Sequence, residues 1–584
     1  MLVDQLAAEG VSRAFCIPGE SYLAALDGFV GSGIDLVVCR QEGGAAMMAE
    51  AHGKMTGTPG VAFVTRGPGA TNASAGVHVA RQDSTPMVLF IGQVASDQRD
   101  REAFQEVDYR AMFGPLAKWA AEIDRADRIP EYVSRAFHIA QSGRPGPVVL
   151  ALPEDMLSGP AEAALVPRAT PADYVAGEAA IEGIVSALST ARRPLMIVGG
   201  SGWSQVAADN LATFAAAWDL PVAATFRRQD HMDNRLPHYV GDAGVGINPA
   251  LAKRMREADL LFVLGSRLGE TATNAYSLVT PPVPAQRLIH VHPGVEEIGR
   301  VYHPELGIAA SPVAVIAELA QRAPRGPIAW SAWRESARAD FDAWQTPQET
   351  AGEVKLEAII ASLNELLPED AVLTNGAGNY AAWLHRYYCY RRYGTQIAPT
   401  SGSMGYGLPG AIAAKLAAPE REVVCLAGDG CFQMTCQEFG TACEQGANII
   451  VIIADNGVYG TIRMHQARTY PRRVSGTRLA NPDFAALARA YGGHGETVTR
   501  TEDFADALAR ARAAGVPAII TLKTDPEAIS PRQSITDLEG WYRGGQWRGG
   551  ARVTVSTRRA ALERVTQWWK HIRNLRDSLR IRRV

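Results

Sequence analysis

The chain has 584 residues, 47% of them apolar, and a formal net charge of −3. At about 100–200 residues per domain, this predicts three domains, or four at the upper limit, each with enough apolar residues for its own core. The charge balance gives no global field for nucleic acid or an anionic membrane, and no apolar run approaches the ~20 residues that cross a bilayer.

Asp4 and Glu9 near the start leave no basic flank for a secretory signal. Over residues 1–165, short apolar strands alternate with helical stretches. Val61–Thr65 and Met87–Gly92 read as strands, with a helix over Ala70–Gln82 between them. This is the pattern of a parallel sheet covered by helices. The Pro- and Ala-rich stretch Gly159–Ala172 reads as a linker. A second α/β unit, 175–325, has strands at Leu195–Val198, Leu260–Leu264 and Leu288–Val291. A second linker is expected at Arg322–Pro327. A third unit, 350–535, has strands at Val423–Leu426, Ile449–Ala454 and Ala518–Leu522. The fold class expected is therefore α/β, with three tandem doubly wound parallel-sheet domains. The segment 540–584 departs from it: it is Arg- and Trp-rich, with a helix expected from Ser556 to Leu579. It reads as a solvated extension or as a basic amphipathic helix.

The chemistry-bearing residues sit at strand ends. Gly428-Asp429-Gly430 follows strand Val423–Leu426, and Asn456 follows Ile449–Ala454. In an open parallel sheet, both reach the crevice outside the carboxyl ends of the strands. A carboxylate with an amide oxygen suits Mg²⁺, and phosphate oxygens, water or a backbone carbonyl can complete the shell. Gly430 and Cys431 open the next helix, whose amides can hold a diphosphate. Glu42, in RQEGGAAMMAEAHGK, follows strand Leu36–Cys39. Taken alone, it caps a helix or complements its dipole. TRGPGATNASAG from Thr65 and SGSMGYGLPGAI from Ser401 are further Gly-rich turns. The seven cysteines form no Cys-x-x-Cys pair, so free thiols in a reducing cytoplasm are expected.

Together with FQE at Phe104–Glu106 and SGRPGPVVLALP, these motifs resemble the thiamine-diphosphate enzymes of the acetolactate synthase, pyruvate oxidase and benzoylformate decarboxylase type, from about Leu2 to Pro531. The resemblance implies a pyrimidine-binding domain, a central Rossmann-like domain and a diphosphate-binding domain. It implies Glu42 at the cofactor's N1′, with a raised pKa from burial. Gln105 and Phe104 lie beside the reacting carbon. Met404 props the bent cofactor, and Gly402 and Ser403 belong to the same turn. Asn379 and Tyr380 lie near the diphosphate. Gly428, Asp429, Gly430, Cys431, Asn456, Val458 and Tyr459 make the cofactor site, with Asp429, Asn456 and Val458 on the metal. It also implies a homodimer or homotetramer, and a central domain that holds FAD or ADP in some relatives, where Gly199–Gly202 and Arg267 are the candidates.

Four positions depart from acetolactate synthases. His465 stands where those enzymes carry a Trp, and Thr271 where they carry an Arg. Glu20 and Ser21 occupy pocket positions that are small and neutral there. The expectation is an acetolactate-synthase-like transferase or lyase acting on 2-oxoacids. The alternatives are a lyase or decarboxylase for 2-hydroxyacyl or benzoylformate-type substrates, and a nucleotide-binding regulatory protein without chemistry.

Overall fold

A computed structural model describes residues 1–171 and 174–540. The basic extension from 541 onward, with the helix expected there, lies outside them. Three six-stranded sheets follow one another, and every strand pairing is parallel. The first contains β1 (Arg13–Cys16), β2 (Asp35–Val38), β3 (Gly60–Val64), β4 (Met87–Gln93), β5 (Trp119–Glu122) and β6 (Pro147–Pro153). The second contains β7 (Pro194–Val198), β8 (Val222–Thr225), β9 (Tyr239–Ala243), β10 (Leu260–Leu264), β11 (Arg287–His292) and β12 (Leu306–Ala309). The third contains β13 (Val372–Asn375), β14 (Gln396–Ile397), β15 (Val423–Gly428), β16 (Ile450–Asp455), β17 (His494–Val498) and β18 (Ala518–Lys523). The central strands β4, β6 and β16 are buried along their whole length. That is why they read as continuous apolar runs rather than alternating ones.

The strand orders locate the ligand crevices. The first sheet runs β2-β1-β3-β4-β6-β5, and the third repeats this order as β14-β13-β15-β16-β18-β17. The second runs β12-β11-β10-β7-β8-β9. The order reverses between β1 and β3, between β7 and β10, and between β13 and β15. At such a reversal, neighbouring connections leave on opposite faces and open a cleft at the carboxyl ends.

The first and third domains share one apolar core. It includes Phe15, Ala46 and Met48 from the first with Tyr406, Ile412 and Phe439 from the third. Small residues allow this approach. A Cβ on Gly44, in helix Glu42–Thr56 of the first domain, would stand 2.8 Å from the Glu438 carboxyl carbon of the third. The central domain extends further than expected. Helix Ser331–Gln345 packs back on it, with Phe341 edge-on to Tyr239 at 5.2 Å and Arg334 Nε donating to Asp219 at 2.7 Å. Its apolar positions complete that core, which a linker reading of the neighbouring Pro-rich stretch misses. All seven cysteines are unpaired. No helix among the described residues is long and apolar enough to cross a membrane.

Candidate active site

The crevice of the third sheet is built from the ends of β13, β15 and β16. Strands β15 and β16 pair with Gly428 opposite Ala454, so Asp429 and Asn456 leave neighbouring strands on one edge. Asp429 is buried. Its Oδ1 accepts from the Gly430 amide at 2.8 Å, and its Oδ2 from the Gly457 amide at 2.8 Å and Asn481 Nδ2 at 2.7 Å. Burial raises its pKa, and those hydrogen bonds oppose the rise. Asn456 Oδ1 accepts from the Val458 amide at 3.1 Å, closing a turn in which Gly457 has φ +69°. A side chain with a Cβ would be strained there. Among the described residues, no group of three His, Cys, Asp or Glu is arranged to hold a metal ion. The donor set is instead one carboxylate, one amide oxygen and backbone carbonyls, which suits a hard cation that keeps phosphate or water ligands.

The floor of this crevice is tightly fitted. The Tyr380 ring lies against Gly428, where a Cβ would stand 2.8 Å from the ring, and Tyr459 lies against Gly430 at 2.6 Å. The Tyr380 oxygen accepts from the Gly376 amide at 3.1 Å and its hydroxyl donates to Cys431 Sγ at 3.3 Å. Cys431 Sγ also accepts from the Gly405 amide at 3.3 Å. It thereby fixes the turn Gly402-Ser403-Met404, in which Gly402 has φ +68°. Met404 is half-buried against the third-domain core. Asn379 faces sideways: its Nδ2 donates to the Ile529 carbonyl at 2.8 Å, and its Oδ1 accepts from Thr461 Oγ1 at 2.8 Å. His465 is exposed on helix Gly460–Thr469.

The crevice of the first sheet gathers the ends of β1, β2, β3 and β4. Glu42 opens helix Glu42–Thr56, with Gln41 as its cap accepting from the Gly44 amide at 3.1 Å. Glu42 Oε2 accepts from Asn72 Nδ2 at 2.9 Å. In this single chain Glu42 is half-buried rather than enclosed. Gln105 holds φ +65° beside Gly67 at φ +59°, where a Cβ would stand 2.7 Å from Gln105 Cβ. The loop that presents Gln105 is tied by Glu106, whose carboxylate accepts from the Asp100 amide at 2.9 Å and the Ala103 amide at 3.0 Å. Phe104 is 75% exposed. The expectation that Ser21 lines a substrate pocket does not fit this geometry. Ser21 is 1% exposed, with Oγ at 2.8 Å from Thr65 Oγ1 and accepting from the Arg66 amide at 3.3 Å. It pins β1 to β3 instead. Glu20 is exposed and pairs with Arg66 at 3.1 Å.

The crevice of the central sheet opens into a cavity of about 430 Å³, lined by Arg144, Arg228, Arg267, Arg300, Glu297 and Thr271 among others. Arg144 and Arg300 both pair with Glu297, at 2.7 and 3.1 Å. Arg267 donates to the Gln82 carbonyl at 3.0 Å. Gly200 (φ +84°) and Gly265 (φ +78°) allow the ends of β7 and β10 to touch.

Three family profiles match in this domain order. The thiamine pyrophosphate enzyme N-terminal TPP binding domain covers residues 1–112, the central domain 181–319 and the C-terminal TPP binding domain 376–522. The chain belongs to the thiamine pyrophosphate enzymes. Acetolactate synthase isozyme 2 large subunit of Escherichia coli K12 is 30% identical over 87% of this chain and 92% of its own length. Acetolactate synthase of Mycobacterium leprae is 32% identical over 88% and 84%. The catabolic acetolactate synthase of Raoultella terrigena is 30% identical over 90% and 94%. The protein is thus an acetolactate-synthase-like enzyme that uses thiamine diphosphate, as the family resemblance in the sequence implies.

Sequence reading missed the residues that support this site. Asn481 bridges two buried carboxylates, Asp429 and, at 2.6 Å, Asp455, yet it stands alone ahead of Pro482 with no local pattern. Arg66 and Asn72 lay inside a recognised motif, but their partners are distant in sequence.

Proposed function

We propose that the protein is a thiamine-diphosphate- and Mg²⁺-dependent enzyme that decarboxylates a 2-oxoacid and joins its acyl carbon to a second carbonyl compound. The observation that carries this reading is the side-by-side exit of Asp429 and Asn456 from β15 and β16 beside the β13/β15 reversal. Asp429, Asn456 and the Val458 carbonyl would hold the metal. The amides at Gly430 and Cys431 would meet the diphosphate. Glu42, heading its helix at the end of β2, would hold and exchange a proton at the cofactor's N1′. The Gly402 carbonyl and Met404 side chain would orient the cofactor, and Gln105 and Phe104 would flank the reacting carbonyl. When bound, the cofactor supplies a thiazolium carbanion as nucleophile and electron sink. The balance is simple: the donor's carboxylate leaves as CO₂, its acyl carbon bonds to the acceptor's carbonyl carbon, and that oxygen takes up one proton.

The contacts of the Glu42 carboxylate, Asn72 and the nearby Gly69, lie within its own domain. This supports a homodimer or a doubled dimer in which a second copy brings the diphosphate half. The four arginines around the central cavity exceed the carboxylates that pair with them, which supports an adenine nucleotide diphosphate, FAD or ADP, in that space. Unpaired cysteines support a cytoplasmic location. The test is a screen of 2-oxoacids and aldehydes with added cofactor and Mg²⁺, with product identification. Consumption of no 2-oxoacid would reject the reading. An absorbance spectrum of the purified protein and of its heat-released supernatant distinguishes FAD from ADP.

A further inference from the structure

The first sheet has its own strand-order reversal, between β1 and β3, and two residues that the cofactor roles leave unused face each other across it. Glu20 follows β1 and Arg66 follows β3. Arg66 Nη2 donates to Glu20 Oε1 at 3.1 Å, and its Nη1 pairs with Glu154, which follows β6. The Arg66 side chain is 10% exposed, while those of Glu20 and Glu154 are 68% and 40% exposed. Arg66 Nε is buried with no partner. One guanidinium is therefore flanked by two carboxylates that look outward, and the group carries a net charge of −1 when all three are ionised.

This group adjoins the reacting end of the proposed site. Arg66 is bonded to Gly67, against which Gln105 packs, and Thr65 sits against Gly69, which in turn neighbours Glu42. Ser21 fixes the turn that presents Glu20, through Thr65 Oγ1 and the Arg66 amide. The backbone fit explains why these residues cannot drift: a Cβ on Gly92 would stand 2.7 Å from Ser21 Cβ, and one on Gly19 would meet Thr65 at 2.7 Å from its hydroxyl.

We infer that the Glu20–Arg66–Glu154 group sets the charge of the acceptor: it disfavours a second 2-oxoacid and favours an uncharged aldehyde. This rests on the proposed function, and it narrows the substrate class of the same site. The physical ground is that Arg66, a cation at this edge that could receive an acceptor carboxylate, already has its two terminal nitrogens committed to carboxylates. An incoming carboxylate therefore meets the surplus negative charge, and it does so as closure of the substrate removes the screening water.

The test uses the cofactor-loaded full chain with one donor 2-oxoacid and two acceptors of matched size, propanal and 2-oxobutyrate. The quantity read is the ratio of kcat/KM for the aldehyde to that for the oxoacid. The wild type is expected to favour propanal. Glu20→Gln and Glu154→Gln are each expected to move the ratio toward 2-oxobutyrate by about tenfold, the order expected for removing one nearby charge in a partly desolvated site. Glu20→Asp, which keeps the charge, should hold the wild-type ratio within about threefold. A ratio unchanged in both Gln variants, or a wild type that prefers 2-oxobutyrate, overturns the inference while leaving the proposed function standing. Absence of any 2-oxoacid turnover in the loaded wild type overturns both.

Discussion

Replacing Asp83 by Ala removes a buried carboxylate that ties the first domain to the third. Its side chain is fully buried and pairs with the Lys54 ammonium; it also accepts from the Thr400 amide at 2.8 Å and the Thr400 hydroxyl at 2.6 Å. Its backbone carbonyl accepts from Ser201 Oγ at 2.9 Å and Arg228 Nη2 at 3.1 Å, contacts that survive the substitution. Breaking a buried pair from one side costs about 3–5 kcal/mol. Lys54 keeps Glu50 at 3.2 Å and the Ala398 carbonyl at 3.0 Å, so the cost should fall near the lower end, about 3 kcal/mol. Burial alone would raise the Asp83 pKa, but Lys54, Arg228 and the Thr400 hydroxyl outweigh it and hold it below 3.8. A depressed carboxyl stabilises the folded state above its unfolded value and loses that contribution as pH falls through its folded value. Urea unfolding of wild type and Asp83→Ala should therefore differ most above about pH 4 and converge as the pH drops below 3.8. Because Thr400 leads into the Gly402–Met404 turn, calorimetry should also find weaker cofactor binding in the variant. A loss below about 1 kcal/mol, or a difference that ignores pH, would refute the reasoning.

Three further outcomes follow from the site. Glu42→Gln should retain cofactor binding, since an amide still meets Asn72 and N1′, but lose most turnover, since it cannot exchange a proton; steady-state rates with matched cofactor titrations check this. Asp429→Ala should abolish Mg²⁺-dependent cofactor retention, because an amide oxygen and carbonyls alone do not offset dehydration of the ion; calorimetry with and without Mg²⁺ reads it, and unchanged affinity would move the metal site elsewhere. Asn481→Ala should lower stability by about 1.5–3 kcal/mol, the range for a hydrogen bond to a charged group, because Asp429 and Asp455 lose their shared donor; restored stability on adding Mg²⁺ and cofactor would show that the ion takes over the role.

The fold was legible because the central strands of these sheets are short, apolar and followed by a Gly or polar turn. The expected strand at Val423–Leu426 runs Val423–Gly428, and that at Ile449–Ala454 runs Ile450–Asp455. The ends shift because ladder hydrogen bonds continue into residues whose side chains are polar, as at Asp455. Helix Ser331–Gln345 was less legible, since Pro324 and Pro327 before it signal a break, while the partners of Arg334 and Phe341 that hold it, Asp219 and Tyr239, lie far away in sequence. The candidate residues Asp429 and Asn456 were visible because each sits one step past a strand. Ser21 misled because a turn position predicts proximity to a pocket but not the direction of the side chain, which the fit against Gly92 and Thr65 decides. Pairings such as Glu20 with Arg66 are set by strand order, and strand order has no local signature.

The most direct test of the central claim is deuterium uptake at the thiazolium C2 of thiamine diphosphate, followed by NMR on the Mg²⁺-loaded protein. The account predicts exchange far faster in the wild type than for the free cofactor, with Glu42→Gln falling back toward the free rate although the cofactor stays bound. A wild type that binds the cofactor yet exchanges C2 no faster than free solution would contradict it.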